Sequence, residues 1–484
     1  MPDLSALRGG GVKALGPVAV VGAALFAARP VSDPSPWLHL RVGQFLAGGG
    51  RFSATDPWAP LAAHTYVPTQ WLPSVVVDAL YDRFGLDAVV WARMVGIALL
   101  VAVVLVTARQ VAGRVAALAT TAAVVAASWP ALSERPQLLG FVLLVPIIAG
   151  WVATGHDRRA RWWLVPLTWL CACTHGIWSL GLVVGALVVG SLATEAVVTT
   201  WRAAKAAAQA GEQPPTGSTG TGRLALVWLA CLAAAAATPL GPKLVLTPFT
   251  VGSNGRSFVD EWLPTSVRQP HVLVALAMVV GLAGLWVARE HRPRLWEVVL
   301  LVAALGLIMS MQRTVPVGAF VVAPMLAREL DLRWSPAQGK AGMPVRERLA
   351  VLAAVVLAAA LAVPVAAATS VGPQYVPTGV QPALDALAPG TRLIAEGDVT
   401  GWLLFAAPNT DPVFDLRIES YDPVYVRHFI EAMDAQQGWD GFVRSTGAQA
   451  ALLTDDSPLA LALQDVWHWR VVQHDRGFVL LEAA

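Results

Sequence analysis

Residues 87–107 read DAVVWARMVGIALLVAVVLVT, an apolar run about as long as the twenty or so helical residues that cross a hydrocarbon core, and Arg109 and Arg114 follow directly. That pairing of a long apolar run with a basic end recurs along the chain. Apolar segments lie near 14–29, 87–107, 114–130, 137–153, 162–174, 177–199, 224–239, 271–288, 295–311, 315–327 and 349–368. The expected architecture is therefore mainly α, a polytopic transmembrane helix bundle of about eleven spans. The segments at 162–174 and 315–327 are short, and Pro166, Pro316 and Pro324 bend or interrupt helices there. Composition agrees, because 56% of the 484 residues are hydrophobic and 14% are charged, more apolar surface than one water-soluble core uses.

The loops carry the sidedness. Cytoplasmic loops retain Lys and Arg, and alternate connections here are basic: Arg8/Lys13, Arg109/Arg114, Arg158/Arg159/Arg161, Arg202/Lys205/Arg223, Arg289/Arg292/Arg294, and Arg328/Arg333/Lys340/Arg346/Arg348. With Ala14 to Ala28 read as an uncleaved first helix, this places the N-terminus in the cytoplasm and the last segment outside. A net charge of +2 points to neither nucleic acid nor a strongly acidic partner. Cys171, Cys173 and Cys231 all fall in apolar segments, where they read as small packing residues. The stretch 211–222, GEQPPTGSTGTG, reads as an inert flexible linker.

Two polar regions interrupt this pattern. Residues 1–369 form the expected membrane domain, and its first external loop, 30–86, holds amphipathic stretches at 37–46 and 70–84 whose Trp and Leu faces suit the membrane interface. Residues 370–484 suffice for a small extracytoplasmic α/β domain. Strand-like runs fall at 392–397, 412–418, 450–456 and 469–482, the last broken by a turn at 475–477, with helical patterns near 379–388, 423–434 and 458–466.

Candidate chemistry concentrates on the outer side. Asp33 lies in SDPSPWLHL, where Pro34 and Pro36 stiffen the backbone, and His39 follows six residues later; Asp56 and His64 complete the loop's ionisable set. A partly desolvated carboxylate is suited to take a proton from an acceptor hydroxyl. The competing reading makes Asp33 and Asp56 caps or Asp-Pro turn residues. Glu134, Arg135, His175, Glu261 and Arg313 stand near other helix ends on the same expected side, and an arginine there suits a lipid phosphate, with interfacial snorkelling as the alternative.

These residues carry a resemblance. SDPSPWLHLRVGQFL, RFSATDPWA and TQWLP, followed by ERPQLLGF, THGIW, TPLGPKL and DEWLP, resemble the bacterial GT-C-type membrane glycosyltransferases that use polyprenyl-phosphate-linked sugars. The C-terminal EGDVTGWLLF, VFDLRIESYD and GWDGFV resemble the outer domain of a poorly characterised branch of that group. The resemblance implies a transferase of a multi-pass bacterial plasma membrane protein, with Asp33 as the loop carboxylate and Arg135 or Arg313 facing phosphate. It implies a lipid-linked sugar donor and a cell-envelope acceptor as partners. Relatives often read Asp-Pro-Asp and a double Trp where this chain has Asp33-Pro34-Ser35 and Pro36-Trp37, and Thr174 replaces the usual Asn before His175. Without the second early acid no metal or other cofactor is expected to be required. A transporter or flippase of a lipid-linked intermediate, or a non-catalytic envelope scaffold, are the alternatives; neither an internal repeat nor midplane polar groups support transport.

Overall fold

The computed structural model describes residues 11–52, 56–211, 213, 220–248, 258, 260–290, 292–334, 342–370 and 375–484. Arg8, Lys340 and most of the 211–222 linker lie outside the described residues. The chain divides into two compact units: residues 1–28, 93–248 and 259–365 form the first, and residues 29–92, 249–258 and 366–484 the second. The first polar loop thus groups with the C-terminal residues, a division that sequence order alone conceals.

The first unit is helical. α1 (Gly11–Phe26), α4 (Leu86–Val111), α5 (Arg114–Ser128), α6 (Gln137–Asp157), α7 (Leu164–Thr174), α8 (Trp178–Ala210), α9 (Thr221–Ala236), α10 (Pro270–Ala288), α11 (Leu295–Ser310), α12 (Val315–Trp334) and α13 (Val345–Thr369) follow the apolar runs. By length and composition six described helices suffice to cross a bilayer, and four more are apolar but only 10–17 residues long, so the expected eleven spans are not reached by this measure. α12 falls in neither class because it ends in the polar RELDLR. It is nevertheless central: every residue from Val315 to Ala327 is buried. Outer helices instead expose valines such as Val280, Val302 and Val356, which belongs in hydrocarbon and not in water. Close packing of small residues helps to hold the bundle. A Cβ on Gly185 of α8 would lie 2.6 Å from the Trp151 ring of α6.

One end of this unit gathers the arginines of the basic loops and pairs them. Glu347 takes Arg109 at 2.7 Å and Arg114 at 3.2 Å, Asp157 takes Arg161 at 2.8 Å, and Glu329 takes Arg289 at 2.8 Å. Arg328 reaches the His156 ring, and Arg294 its carbonyl. Four of the six basic loops are therefore linked to one another by these contacts.

In the second unit, β1 (Arg392–Ala395), β2 (Asp411–Pro412), β3 (Ala450–Thr454), β4 (Arg470–Asp475) and β5 (Phe478–Glu482) form one sheet ordered β2-β1-β3-β5-β4. β1 runs parallel to β2 and β3, and β5 antiparallel to β3 and β4. Arg476 and Gly477 both have positive φ, as a two-residue hairpin turn requires. The run at 412–418 keeps only the short β2 as strand, and helices at 397–406 and 439–446 appear that periodicity did not indicate.

The amphipathic stretches of the loop are α2 (Ser35–Ala47) and α3 (Trp71–Phe84). The apolar face of α2 is covered within this unit. Trp37 and Leu40 are buried with Leu384, Trp402, Leu452 and Leu480, and Leu38 and Val42 with Trp58, Tyr66 and Leu404. The sheet domain is a nearer apolar partner than lipid. The two helices cross at Gly43, where a Cβ would stand 2.4 Å from the Ser74 carbonyl oxygen. That crossing buries Asp78, whose Oδ1 has no hydrogen-bond partner. Burial, helped by the Asp82 charge, raises its carboxyl from 3.8 to about 6. Between those values the folded chain holds a proton that the unfolded chain has released, so stability falls as pH rises through that window. Asp78→Asn is expected to stabilise this unit by about 1–3 kcal/mol at pH 7.5 and by nothing near pH 3.5. Thermal unfolding at the two pH values checks it, and an equal shift at both would contradict it.

Candidate functional site

Asp33 ends the chain's approach to α2. Its Oδ1 accepts the Ser35 N–H at 2.9 Å, a turn that the following Pro34 favours, and the side chain is buried. Its carbonyl accepts the Tyr375 hydroxyl at 2.9 Å, and that hydroxyl oxygen accepts Trp37 Nε1–H at 2.8 Å. Backbone and carboxylate are thus fixed together. On the next turn of α2, His39 Nδ1 lies 3.1 Å from Ser74 Oγ, whose own proton goes to the Gln70 carbonyl at 2.8 Å. Ser74 sits one turn before Asp78, so the α2–α3 seam carries a line of polar groups between apolar faces.

Asp56 has a different setting. Its Oδ1 accepts the N–H groups of Trp58 and Ala59 at 2.9 and 3.0 Å, and its Oδ2 accepts Arg417 Nη1–H at 2.6 Å. Arg417 also binds Asp415 through Nε and Nη2, at 3.1 and 2.5 Å. All three side chains are buried, and the guanidinium is flanked by the Trp58 and Tyr66 rings, each 5.1 Å from its carbon. Burial alone would favour a neutral guanidine, yet Asp415 and Asp56 hold Arg417 well above its ordinary value. Burial and the nearby Glu419 carboxylate push the Tyr66 phenol up, so it stays neutral. His64 is exposed beside this clamp, its N–H donating to the Ser420 carbonyl at 3.0 Å.

In the helical unit, Glu134 meets Arg93 of α4, and both side chains are wholly buried. Arg135 Nη1 donates to Glu261 Oε1 at 2.5 Å, with 27% and 39% of their side chains exposed. Glu261 belongs to a 3-10 turn, Asp260–Trp262, that packs against a second one, Gln312–Thr314. There the Arg313 guanidinium lies 5.5 Å over the Trp262 ring. His175 is buried after α7, and its Nδ1 accepts the Ile177 N–H at 3.1 Å, which leaves the ring proton of the neutral form on Nε2. Thus Arg135, Glu261 and Arg313 meet around one turn, Glu134 pairs below them in sequence with Arg93, and Asp33 and His39 share α2. Among the described residues no three or more His, Cys, Asp or Glu side chains gather as a metal ion needs.

Sequence reasoning passed over Arg93, Ser74, Asp78, Arg417 and Tyr375. Arg93 interrupts an apolar run, which was a readable signal. Arg417 sits in PVFDLRI, whose alternation reads as strand, and its partner Asp56 is 361 residues away.

The chain has a GT-C-like fold. It is similar to the oligosaccharyltransferase of Archaeoglobus fulgidus in its apo form, at 12% identity over 94% of this chain and 70% of that one, with a TM-score of 0.54. It is also similar to ArnT from Cupriavidus metallidurans in the apo state, at 16% identity over 96% of this chain and 97% of that one, with a TM-score of 0.50. No family model and no curated protein matches the chain in sequence.

The buried clamp has a direct consequence. Arg417→Leu leaves two buried carboxylates without their cation and is expected to destabilise the second unit by about 3–5 kcal/mol. Arg417→Lys should recover only part, because an ammonium cannot grip two carboxylates through a planar fork. Thermal unfolding and limited proteolysis of residues 56–66 measure this, and a Leu variant as stable as the parent would refute the clamp.

Proposed function

We propose that this chain is a glycosyltransferase that moves a sugar from a polyprenyl-phosphate-type lipid donor to an extracytoplasmic acceptor hydroxyl. The observation that carries the reading is Asp33, a carboxylate fixed through both its backbone and its side chain in the first loop of a GT-C-like fold. In this reading the acceptor O–H gives its proton to Asp33 as its oxygen bonds to the anomeric carbon. The bond from that carbon to the phosphate oxygen breaks, and its electron pair leaves with the phosphate. The resemblance offers Arg135 or Arg313 as the cation for that leaving charge. His39 and His175 serve as polar contacts to the sugar or acceptor, and Asp56 as the loop's structural anchor.

The charge of the basic loops supports an orientation in a bacterial plasma membrane with those loops in the cytoplasm and the C-terminal domain outside.

Transfer of labelled sugar from a polyprenyl-phosphate donor, in membranes containing the chain, tests the reading. Asp33→Asn should lower transfer about a hundred- to ten-thousand-fold. The variant's amide oxygen still accepts the Ser35 N–H, and its thermal unfolding checks that the fold is kept. Parental rates in that variant would remove Asp33 from the base role, and no transfer by the parent chain from any such donor would remove the reading itself.

A further inference from the structure

The geometry points to Glu261 as an internal stand-in for phosphate, a carboxylate that occupies Arg135 and exchanges with a phosphate monoester when one binds. This rests on the reading that Arg135 faces a lipid phosphate. Arg135 Nη1 donates to Glu261 Oε1 at 2.5 Å, the same kind of charge-assisted bond that a phosphate oxygen accepts from guanidinium. The next residue, Trp262, lies beneath the Arg313 guanidinium at 5.5 Å, so two adjacent side chains of one turn each hold an arginine.

Exposure decides whether such a pair exchanges. The Arg93–Glu134 pair is wholly buried on both sides, and separating it would strand two charges out of water. In the Arg135–Glu261 pair the side chains are 27% and 39% exposed. Water screens that pair and solvates each partner once they part, so the contact is weak. A phosphate monoester brings more charge and more acceptor oxygens to Arg135 than one carboxylate does, and it can engage the guanidinium through two hydrogen bonds. Glu261, already part exposed, then turns to solvent. Exchange also keeps Arg135 neutralised between binding events, which suits an arginine beside a bilayer.

The test is binding of undecaprenyl phosphate, and separately of inorganic phosphate, to the full chain in nanodiscs of zwitterionic lipid. Glu261→Gln removes the competing charge and keeps the side-chain shape, and Glu261→Ala removes both. Each should tighten undecaprenyl phosphate binding roughly two- to fivefold, the strength of an exposed ion pair. Arg135→Gln should weaken it. An equal gain for inorganic phosphate assigns the exchange to the phosphate group whatever carries it, and a gain confined to the lipid assigns it to a headgroup at the membrane surface. Both support the stand-in. Unchanged or weaker binding in both Glu261 variants, with Arg135→Gln still weakened, overturns it. If Arg135→Gln and Arg313→Gln both bind undecaprenyl phosphate as the parent does, the underlying phosphate reading fails instead.

Discussion

Arg417 is buried with Asp56 and Asp415 between two aromatic rings, and this contact sets the conditions for much of the second unit. A guanidinium taken out of water is tolerated only when its donors are met by well-placed acceptors. Three of its nitrogens find carboxylate oxygens here, and the surplus negative charge is absorbed by backbone N–H groups of Trp58, Ala59 and Arg417 itself. Because Asp56 lies in the first loop and Arg417 in the C-terminal segment, the clamp joins two stretches that sequence separates by most of the chain. Ser420 adds to it by accepting the N–H groups of Ala63 and His64. With that joint closed, α2 and α3 have a sheet to lie against, and Asp33 is held by Tyr375 from the same C-terminal stretch.

This explains which parts of the molecule were legible in sequence. Apolar runs announce helices because burial in lipid needs length, so the bundle's elements followed the sequence closely. Strands β1, β3 and the β4–β5 hairpin were visible in their β-rich composition and in the Arg476-Gly477 turn. The direction in which α2 turns its Trp37 and Leu40 face was not visible. An apolar face states that it must be covered and does not state by what, so lipid and the α/β domain look alike until the long-range contacts are known. Arg417 was hidden for a similar reason: in PVFDLRI the alternation that suggests a strand is in fact a turn built around Asp415. The helix at 397–406 begins with Gly397 and contains Gly401, poor helix formers that mask it; Gly401 is kept because a Cβ there would meet the Pro34 carbonyl oxygen at 2.9 Å.

The candidate site was legible in its residue types and not in its pairings. Asp33, Arg135, Glu261 and Arg313 were marked by ionisable groups beside apolar runs, which is a local property. That Arg135 meets Glu261, or that Ser74 meets His39, depends on which loops converge, and no short-range pattern encodes it.

The ion pairs of the helical unit then separate by their access to water. At the basic end, Glu347, Asp157 and Glu329 neutralise arginines that charge placement assigns to one side of the membrane. Arg93 and Glu134 are sealed, and the desolvation that makes them expensive to separate makes them a structural link between α4 and the start of α6. Only a pair that is partly wet can give up one partner at little cost and keep the other in place. Arg135 with Glu261 meets that condition, and its position beside the Trp262–Arg313 contact puts two guanidinium groups on one short turn. The chemistry available to this fold is therefore decided less by how many charges it carries than by which of them water still reaches.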